Sequence, residues 1–529
     1  MGPLDTVLWF LPEVVLLAAA LLIFVLDAFG VRRIEVDGGI AIGGAVVGIG
    51  LVLADLGWAP LAFARTIPTA MVNAPIGANA LWAFTSLGLI FQGIFLASAL
   101  LVSIASLSRP SAERGAAVFF GLLTIATLGM LLAAVAANLV FLLLAIEVVS
   151  IASYLLVGYT RRESRNLEAA MKFYIIGALS AALAFFGASL LFGAYGSLSF
   201  LVLAQFTAPV GNASLAWIGY GFLIAGIGFK VTAVPFHMWA VDVYDGAPTD
   251  VSAFLAGGTK KVGVFAFFLV FIGPITFFAV HPSTCPGAGC PGSTNFGPAI
   301  QLALALLAIL TMTVGNLLAL LQREMKRMLA YSSISQAGYM LIGIAVGTSP
   351  AIAGATFQVF GHVFMKAGAF LVVAAVASLG VGPMIDDWRG LGTRRPYLAL
   401  AFSLMLLSLA GIPLTVGFAS KFVLFSSAVE AQGVFVWLAV AGLLNSALSV
   451  FYYARVLKAM YFDRPEPGTT VAALSVANGP VSRGARQIGY GRAVAIGLAT
   501  AAIIAFGVYP QIVLGPIQSA AAHFLSIGV

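Results

Sequence analysis

Apolar runs long enough to cross a bilayer follow one another almost without pause from residue 5 to the end of the chain. At about 20 apolar residues per helical span, the pattern predicts about fourteen spans. They fall near 5–29, 38–57, 79–106, 115–136, 138–159, 167–194, 214–236, 249–273, 296–320, 328–347, 351–380, 396–425, 433–461 and 491–514. Short polar segments separate them. The stretch 197–210 fits an extra-membrane or re-entrant piece, and 463–490, with its Pro, Gly and Ser, fits a flexible loop with no chemistry of its own. The first run begins with Asp5 and Glu13 and lacks a basic leader, so it reads as a retained span and not a cleaved signal. The expected fold is an all-α polytopic membrane protein.

Composition agrees with the pattern. The 529 residues are 61% hydrophobic and 9% charged, which excludes a soluble globular protein of this size. Glycine (58) and phenylalanine (40) suit closely packed membrane helices. The net charge of +7 resides mainly in loops and does not imply nucleic acid. Arg32-Arg33, Arg109 to Arg114, Arg161-Arg162 to Arg165, Arg323 to Arg327, Arg389 to Arg395 and Arg464 to Arg492 all follow odd-numbered spans. The positive-inside rule then makes these loops cytoplasmic and places both termini outside, in a multi-pass protein of the cell inner (plasma) membrane. The only cysteines, Cys285 and Cys290, fall in an outside loop, where a small disulfide is expected. Two thiols cannot by themselves hold an iron–sulfur cluster. No glycine-rich phosphate loop follows a strand, so nucleotide or hydride chemistry is not expected on this chain.

The remaining charges lie inside spans. A charge near mid-membrane costs at least about 2.5–3.5 kcal/mol on insertion scales, so each calls for a reason. Lys230 sits in an apolar helix that Pro235 interrupts five residues later, in Gly228-Phe229-Lys230-Val-Thr-Ala-Val-Pro235-Phe-His237-Met-Trp239. Glu147 lies about ten residues into its own span. The two are expected to pair as a switchable proton-transfer element, since a lysine removed from water binds its proton less firmly and a nearby carboxylate opposes that. Packing alone, or a snorkelling lysine, is the plainer reading. Lys260 and Lys261 follow Gly257-Gly258, which allows local unwinding or close helix approach. Adjacent helical residues point about 100° apart, so one pathway is unlikely to use both; Lys260 is favoured as the relay group and Lys261 stays open between relay and packing. His362 and Lys366, four apart, are expected to share one helix face as a proton wire. Lys421 follows Pro413 in a second interrupted helix. Lys172, His237 and Asp250 lie near span ends, where interfacial roles are ordinary, while Glu13, Asp27 and Asp55 read as packing or boundary residues. Spans four to eight and nine to thirteen each carry a Pro-interrupted helix with a lysine at the same ordinal position. This fits two inverted five-helix repeats, with 1–110 as N-terminal helices, 111–275 and 276–462 as the repeats, and 463–529 as a loop and C-terminal helix.

These residues form a row and do not surround a midplane pocket, which points to proton translocation and away from a solute carrier. The chain also resembles the antiporter-like subunits of proton-pumping NADH–quinone oxidoreductase (respiratory complex I), subunit N in particular. The resemblance rests on Leu11-Pro-Glu13, Leu142 to Tyr159, Leu167-Glu-Ala-Ala-Met-Lys172, Phe229 to Pro248, Leu321 to Ser335, Asp386-Asp387-Trp-Arg-Gly-Leu-Gly and Leu409 to Phe422. It implies that Glu147 and Lys230 form the glutamate–lysine pair of a first half-channel. Lys260 would be the central connecting lysine, and Lys421 the lysine of the second half-channel. It implies sibling antiporter-like subunits and lipids as partners. No cofactor is expected on this chain; NADH, FMN, iron–sulfur clusters and quinone would belong to other subunits. Two features depart from the resemblance: Gln336 stands where the family often has histidine, and Gly361-His362 to Lys366 looks more like the sibling subunits. A cation/proton antiporter subunit of the Mrp type and a purely structural membrane scaffold are the rival readings.

Overall fold

A computed structural model of the chain describes residues 7–58, 61, 66–68, 71–74, 80–108, 115–160, 164–205, 213–280, 296–465, 471 and 488–526. Cys285, Cys290 and most of the expected loop 463–490 lie outside the described residues. The apolar runs fold as helices because a backbone in hydrocarbon must satisfy its own hydrogen bonds. In order they are α1 (Leu11–Ala28), α2 (Ile34–Asp55), α3 (Ser86–Ser106), α4 (Ala116–Ala134), α5 (Leu139–Val157), α6 (Ser164–Tyr195), α7 (Phe200–Gln205), α8 (Ala213–Val231), α9 (Met238–Gly246) and α10 (Thr249–Phe254). They continue as α11 (Lys260–Val280), α12 (Phe296–Leu321), α13 (Met325–Val346), α14 (Ser349–His362), α15 (Gly368–Ser378), α16 (Pro396–Ala410), α17 (Val416–Glu430), α18 (Val434–Tyr461), α19 (Tyr490–Val508) and α20 (Gln511–Ser526).

Among the described residues thirteen helices are long and apolar enough to cross a membrane, two of them running through a π-helical turn. The span expected at 396–425, with its interruption at Pro413, is two 15-residue helices, α16 and α17. Gly411, at φ +92°, ends α16 in the left-handed region, and Pro413 just beyond it has no N–H with which to continue the helix. The chain re-enters a helix at Val416. Helix α20 lies beyond the last expected span; it follows a break at Tyr509-Pro510 and packs on α3 and α14.

The degree of enclosure separates inner from outer helices. The most apolar window of Thr249–Ile275 is 100% buried and that of Met325–Val346 is 94% buried, against 28% for Val434–Tyr461. Lys260 and Lys261, on the first of these, are therefore inside protein and not against lipid. Helix α3 packs beside this interior, against the two π-helical turns and against α19 and α20. Arg492, in the first turn of α19, reaches Asp250 at the start of α10 at 3.4 Å, with side chains only 8% and 3% exposed. Asp250 thus lies within the protein interior and not in the interfacial position expected of it. Glu13 accepts a 2.6 Å hydrogen bond from Gln92, and Asp55 accepts from the Thr66 and Ile67 N–H groups, which ties the first two helices to their neighbours.

Candidate functional site

Lys230 occupies the last turn of α8. Beyond it Thr232 adopts φ +64°, the Val234–Pro235 peptide is cis, and helix resumes only at Met238. Such a break strands backbone groups in the protein interior, where each needs a partner. Trp239 Nε1 donates to the Phe229 carbonyl (3.1 Å), and the Val234 N–H donates to Thr311 Oγ1 (3.0 Å). The lysine ammonium sits 5.6, 5.8 and 5.6 Å from the ring centroids of Tyr154, Phe173 and Phe229, within cation–π range. Glu147 and Lys230 line one small, partly open cavity together with Ser180 and Gly226. The expected direct contact between them is absent. The two share a cavity, not an ion pair, and Glu147 takes its hydrogen bond from Ser150 Oγ at 3.4 Å.

The central lysines differ from expectation. Leu255–Thr259 and Val363–Ala367 are π-helical turns packed on each other. Gly257 permits the approach, because a Cβ there would come within 2.8 Å of Ala367 Cβ. Lys260 leaves this junction toward α13, donating to Ser333 O (3.1 Å) and Ser333 Oγ (3.0 Å), with its ammonium 5.6 Å from the Tyr244 ring. Lys261 turns the other way, to Ala256 O and to His362 Nδ1, each at 2.7 Å. It is therefore Lys261, and not the favoured Lys260, that meets the histidine. The 100° between neighbours was the right geometry, but it aims the two lysines at two different polar partners. His362 and Lys366 do not form a pair either. The π turn between them carries five residues where an α turn carries fewer, and Lys366 donates to Ser332 Oγ (2.8 Å) instead.

Lys421 closes the row. The end of α16 leaves carbonyls without helical partners, and the negative end of the helix dipole favours a cation there. Lys421 Nζ donates to Leu409 O (2.8 Å), Ala410 O (3.2 Å) and Ser446 Oγ (2.9 Å), 4.6 Å from the centroid of the Tyr339 ring. Gly417 lets α17 approach, because a Cβ there would lie 1.8 Å from Ser408 O. Gln336 also donates to Leu409 O (3.1 Å) and accepts from Gln358 Nε2 (2.7 Å), and Gln358 in turn accepts from Ser420.

A second cluster, where α6, α9 and the start of α13 meet, escaped sequence reading. Lys172 and Arg327 both reach Asp242, at 3.0 and 3.2 Å, while Arg165 pairs with Asp245 and, at 3.6 Å, with Glu324. Lys326 donates to the carbonyls of Asp245 (2.6 Å) and Ala247 (2.8 Å). Asp242 is on α9, outside the membrane-spanning helices. Burial alone would raise its carboxyl, but hydrogen bonds and charge from Lys172 and Arg327 outweigh this and hold it below the usual aspartate range. The signal was present in Leu321 to Ser335 as basic residues, but sequence order does not show that they meet acids 80 residues earlier. Among the described residues no group of three or more His, Cys, Asp or Glu could hold a metal ion.

Residues 136–281 and 291–449 match the family model of the NADH:quinone oxidoreductase/Mrp antiporter transmembrane region. F(420)H(2) dehydrogenase subunit N of Methanosarcina mazei is 38% identical over 518 residues, 96% of this chain and 97% of that protein. NAD(P)H-quinone oxidoreductase subunit 2 of Thermosynechococcus vestitus is 42% identical over 385 residues, 72% of this chain and 70% of its own. A chain of respiratory complex I from Thermus thermophilus superposes with a TM-score of 0.71 at 29% identity, covering 95% of this chain and 98% of its own. A chain of the Mrp complex from Dietzia superposes with a TM-score of 0.78 at 19% identity (98% and 97% covered), a likeness of fold alone. The chain belongs to the NADH:quinone oxidoreductase/Mrp antiporter transmembrane family.

Proposed function

We propose that this chain is a proton-translocating membrane-arm subunit, of the subunit N type, in a quinone-reducing complex of the complex I kind. The observation that carries the proposal is the row of cations from half-buried Lys230 through the buried Lys260, Lys261 and Lys366 to buried Lys421, joined at its middle by the Lys261–His362 contact. Hydroxyls between such groups suit proton hopping, and a cation inside a membrane protein is costly enough to mark a functional site. Relatives named as subunit N at 35–40% identity support this reading over an Mrp antiporter subunit, which the family model shares and a solved structure matches in fold. NADH, flavin, iron–sulfur clusters and quinone are assigned to other subunits, so redox chemistry reaches this chain as a change of charge at its edge.

That edge is at Glu147. Val140, Leu144, Ile151 and Leu155 form the outward stripe of α5, each 38–57% exposed, and Glu147 falls at helical spacing within it. An acid on an outward stripe at mid-helix is stable only if another subunit covers it. A charge change in that neighbour alters how strongly Glu147 attracts the Lys230 proton across the shared cavity. The proton then moves by way of the central lysines and Lys366 to Lys421. The test is simultaneous measurement of proton pumping and electron transfer in membranes carrying the assembled complex with Lys230→Ala or Lys421→Ala. Loss of pumping is expected; unchanged pumping in both would leave only the scaffold reading.

A further inference from the structure

The row leaves a gap between Lys366 and Lys421, and Gln336 lies in it. Its amide ends on the Leu409 carbonyl and receives Gln358 Nε2. A carboxamide passes a proton on only through its imidic acid form, so this branch holds the helices together but makes a poor wire. A different set of groups spans the same gap. Ser332 accepts from Lys366 (2.8 Å) and shares a short hydrogen bond with the Tyr453 hydroxyl. Helices α13 and α18 run antiparallel: Ser332 meets Tyr453 at one level, and Ile342 lies beside Gly442 at another. Side chains of α-helices lean toward the N-terminus of their own helix. Tyr339 on α13 and Tyr453 on α18 therefore lean toward each other, and their hydroxyls converge near Ser335, one turn before Tyr339. The hydroxyls of Ser335 and Tyr339 are fully buried and have no hydrogen-bond partner among the described residues. Asn316, Ser335 and Ser446 surround the Tyr339 hydroxyl without completing a bond to it. Unsatisfied buried hydroxyls facing one space are the setting in which a bound water is stable.

We propose that the hydroxyls of Ser332, Tyr453 and Tyr339, bridged by one water held at Ser335, carry the proton from Lys366 to Lys421. The inference rests on the proton-translocation reading above. In one passage the Lys366 ammonium gives a proton to Ser332, and Ser332 gives its own to Tyr453. Tyr453 protonates the water, the water protonates Tyr339, and Tyr339 protonates the neutral Lys421 amine through Ser446. One N–H bond breaks at Lys366 and one forms at Lys421; each oxygen between them gains one proton and loses one. The hydroxyls then rotate back to receive the next.

The experiment uses the assembled complex in sealed membranes, with protons pumped per electron pair and electron-transfer rate read together. Tyr453→Phe and Tyr339→Phe keep the rings and remove only the hydroxyls. A drop of roughly tenfold or more in pumping is expected from each, within the loss that removing a proton-transfer group produces. Tyr452→Phe is the control, because the Tyr452 hydroxyl donates to Asn316 and not to Ser332; it should pump normally. If Tyr453→Phe does not assemble, Ser332→Ala reads the same step. Normal pumping by Tyr453→Phe alongside loss in Lys421→Ala overturns the relay and leaves the proposed function intact. Normal pumping by Lys421→Ala itself overturns both. Equal loss in Tyr452→Phe and Tyr453→Phe points to packing and also overturns the relay.

Discussion

At the scale of single residues, the interior charges were legible because composition makes them conspicuous. Lys230 and Lys421 stand beside Pro235 and Pro413, and a charge beside a helix breaker in an apolar run has few structural excuses. What the sequence could not show is where each side chain ends. Lys260 and Lys261 are neighbours, and only the packed helices reveal that one serves Ser333 and the other His362. We expect Lys261→Ala to reduce proton pumping as severely as Lys260→Ala, measured as protons per electron pair in membranes of the assembled complex. Retained pumping in Lys261→Ala would restore it to a packing role. The Glu147–Lys230 relation was legible as a partnership but not as one across a cavity, since spacing along two helices says nothing of the volume left between them.

At the scale of elements, periodicity located the helices well and their interruptions less well. The break after α16 was legible in Pro413, but where the helix stops and restarts was not, because Gly411 and Pro413 hardly dent the apolar run. The π turns hid more completely. Each inserts one residue into a continuous helix and re-aims everything after it, and no residue type demands one. Gly257-Gly258 were the hint, as a place of local unwinding or close approach. Gly257→Val should force apart the two π turns, because Ala367 Cβ and Ser98 Oγ would lie 2.8 and 3.2 Å from the new Cβ. Overpacking of this kind costs about 1–3 kcal/mol. The expected result is a lower thermal inactivation temperature of the complex together with weakened pumping, as Lys261 and His362 separate.

At the scale of the whole molecule, charges at the end of α9 tie α6 to α13, elements that sequence reading assigned to separate five-helix units. Within this cluster Lys172 and Arg327 hold the Asp242 carboxyl below the usual aspartate range. A carboxylate held below its ordinary 3.8 contributes stability that is complete above that value and is lost as pH falls through its lower folded value. Asp242→Asn should therefore lower thermal stability near neutral pH by no more than about 1 kcal/mol, since the side chain is 39% exposed and solvent screens it. The difference from the unmodified protein should shrink in acid and in high salt; thermal unfolding followed across pH and ionic strength checks both. The pairing of Arg492 with Asp250 bears on how the molecule is made as well as on how it stands. Arg492 emerges from the ribosome 242 residues after Asp250, a delay of roughly 10–50 s at ordinary rates of synthesis. Through that interval the helix leading to Lys260 lacks one of its final contacts. The innermost segment of this protein is thus among the last to be locked, and insertion of α19 is the event that completes it.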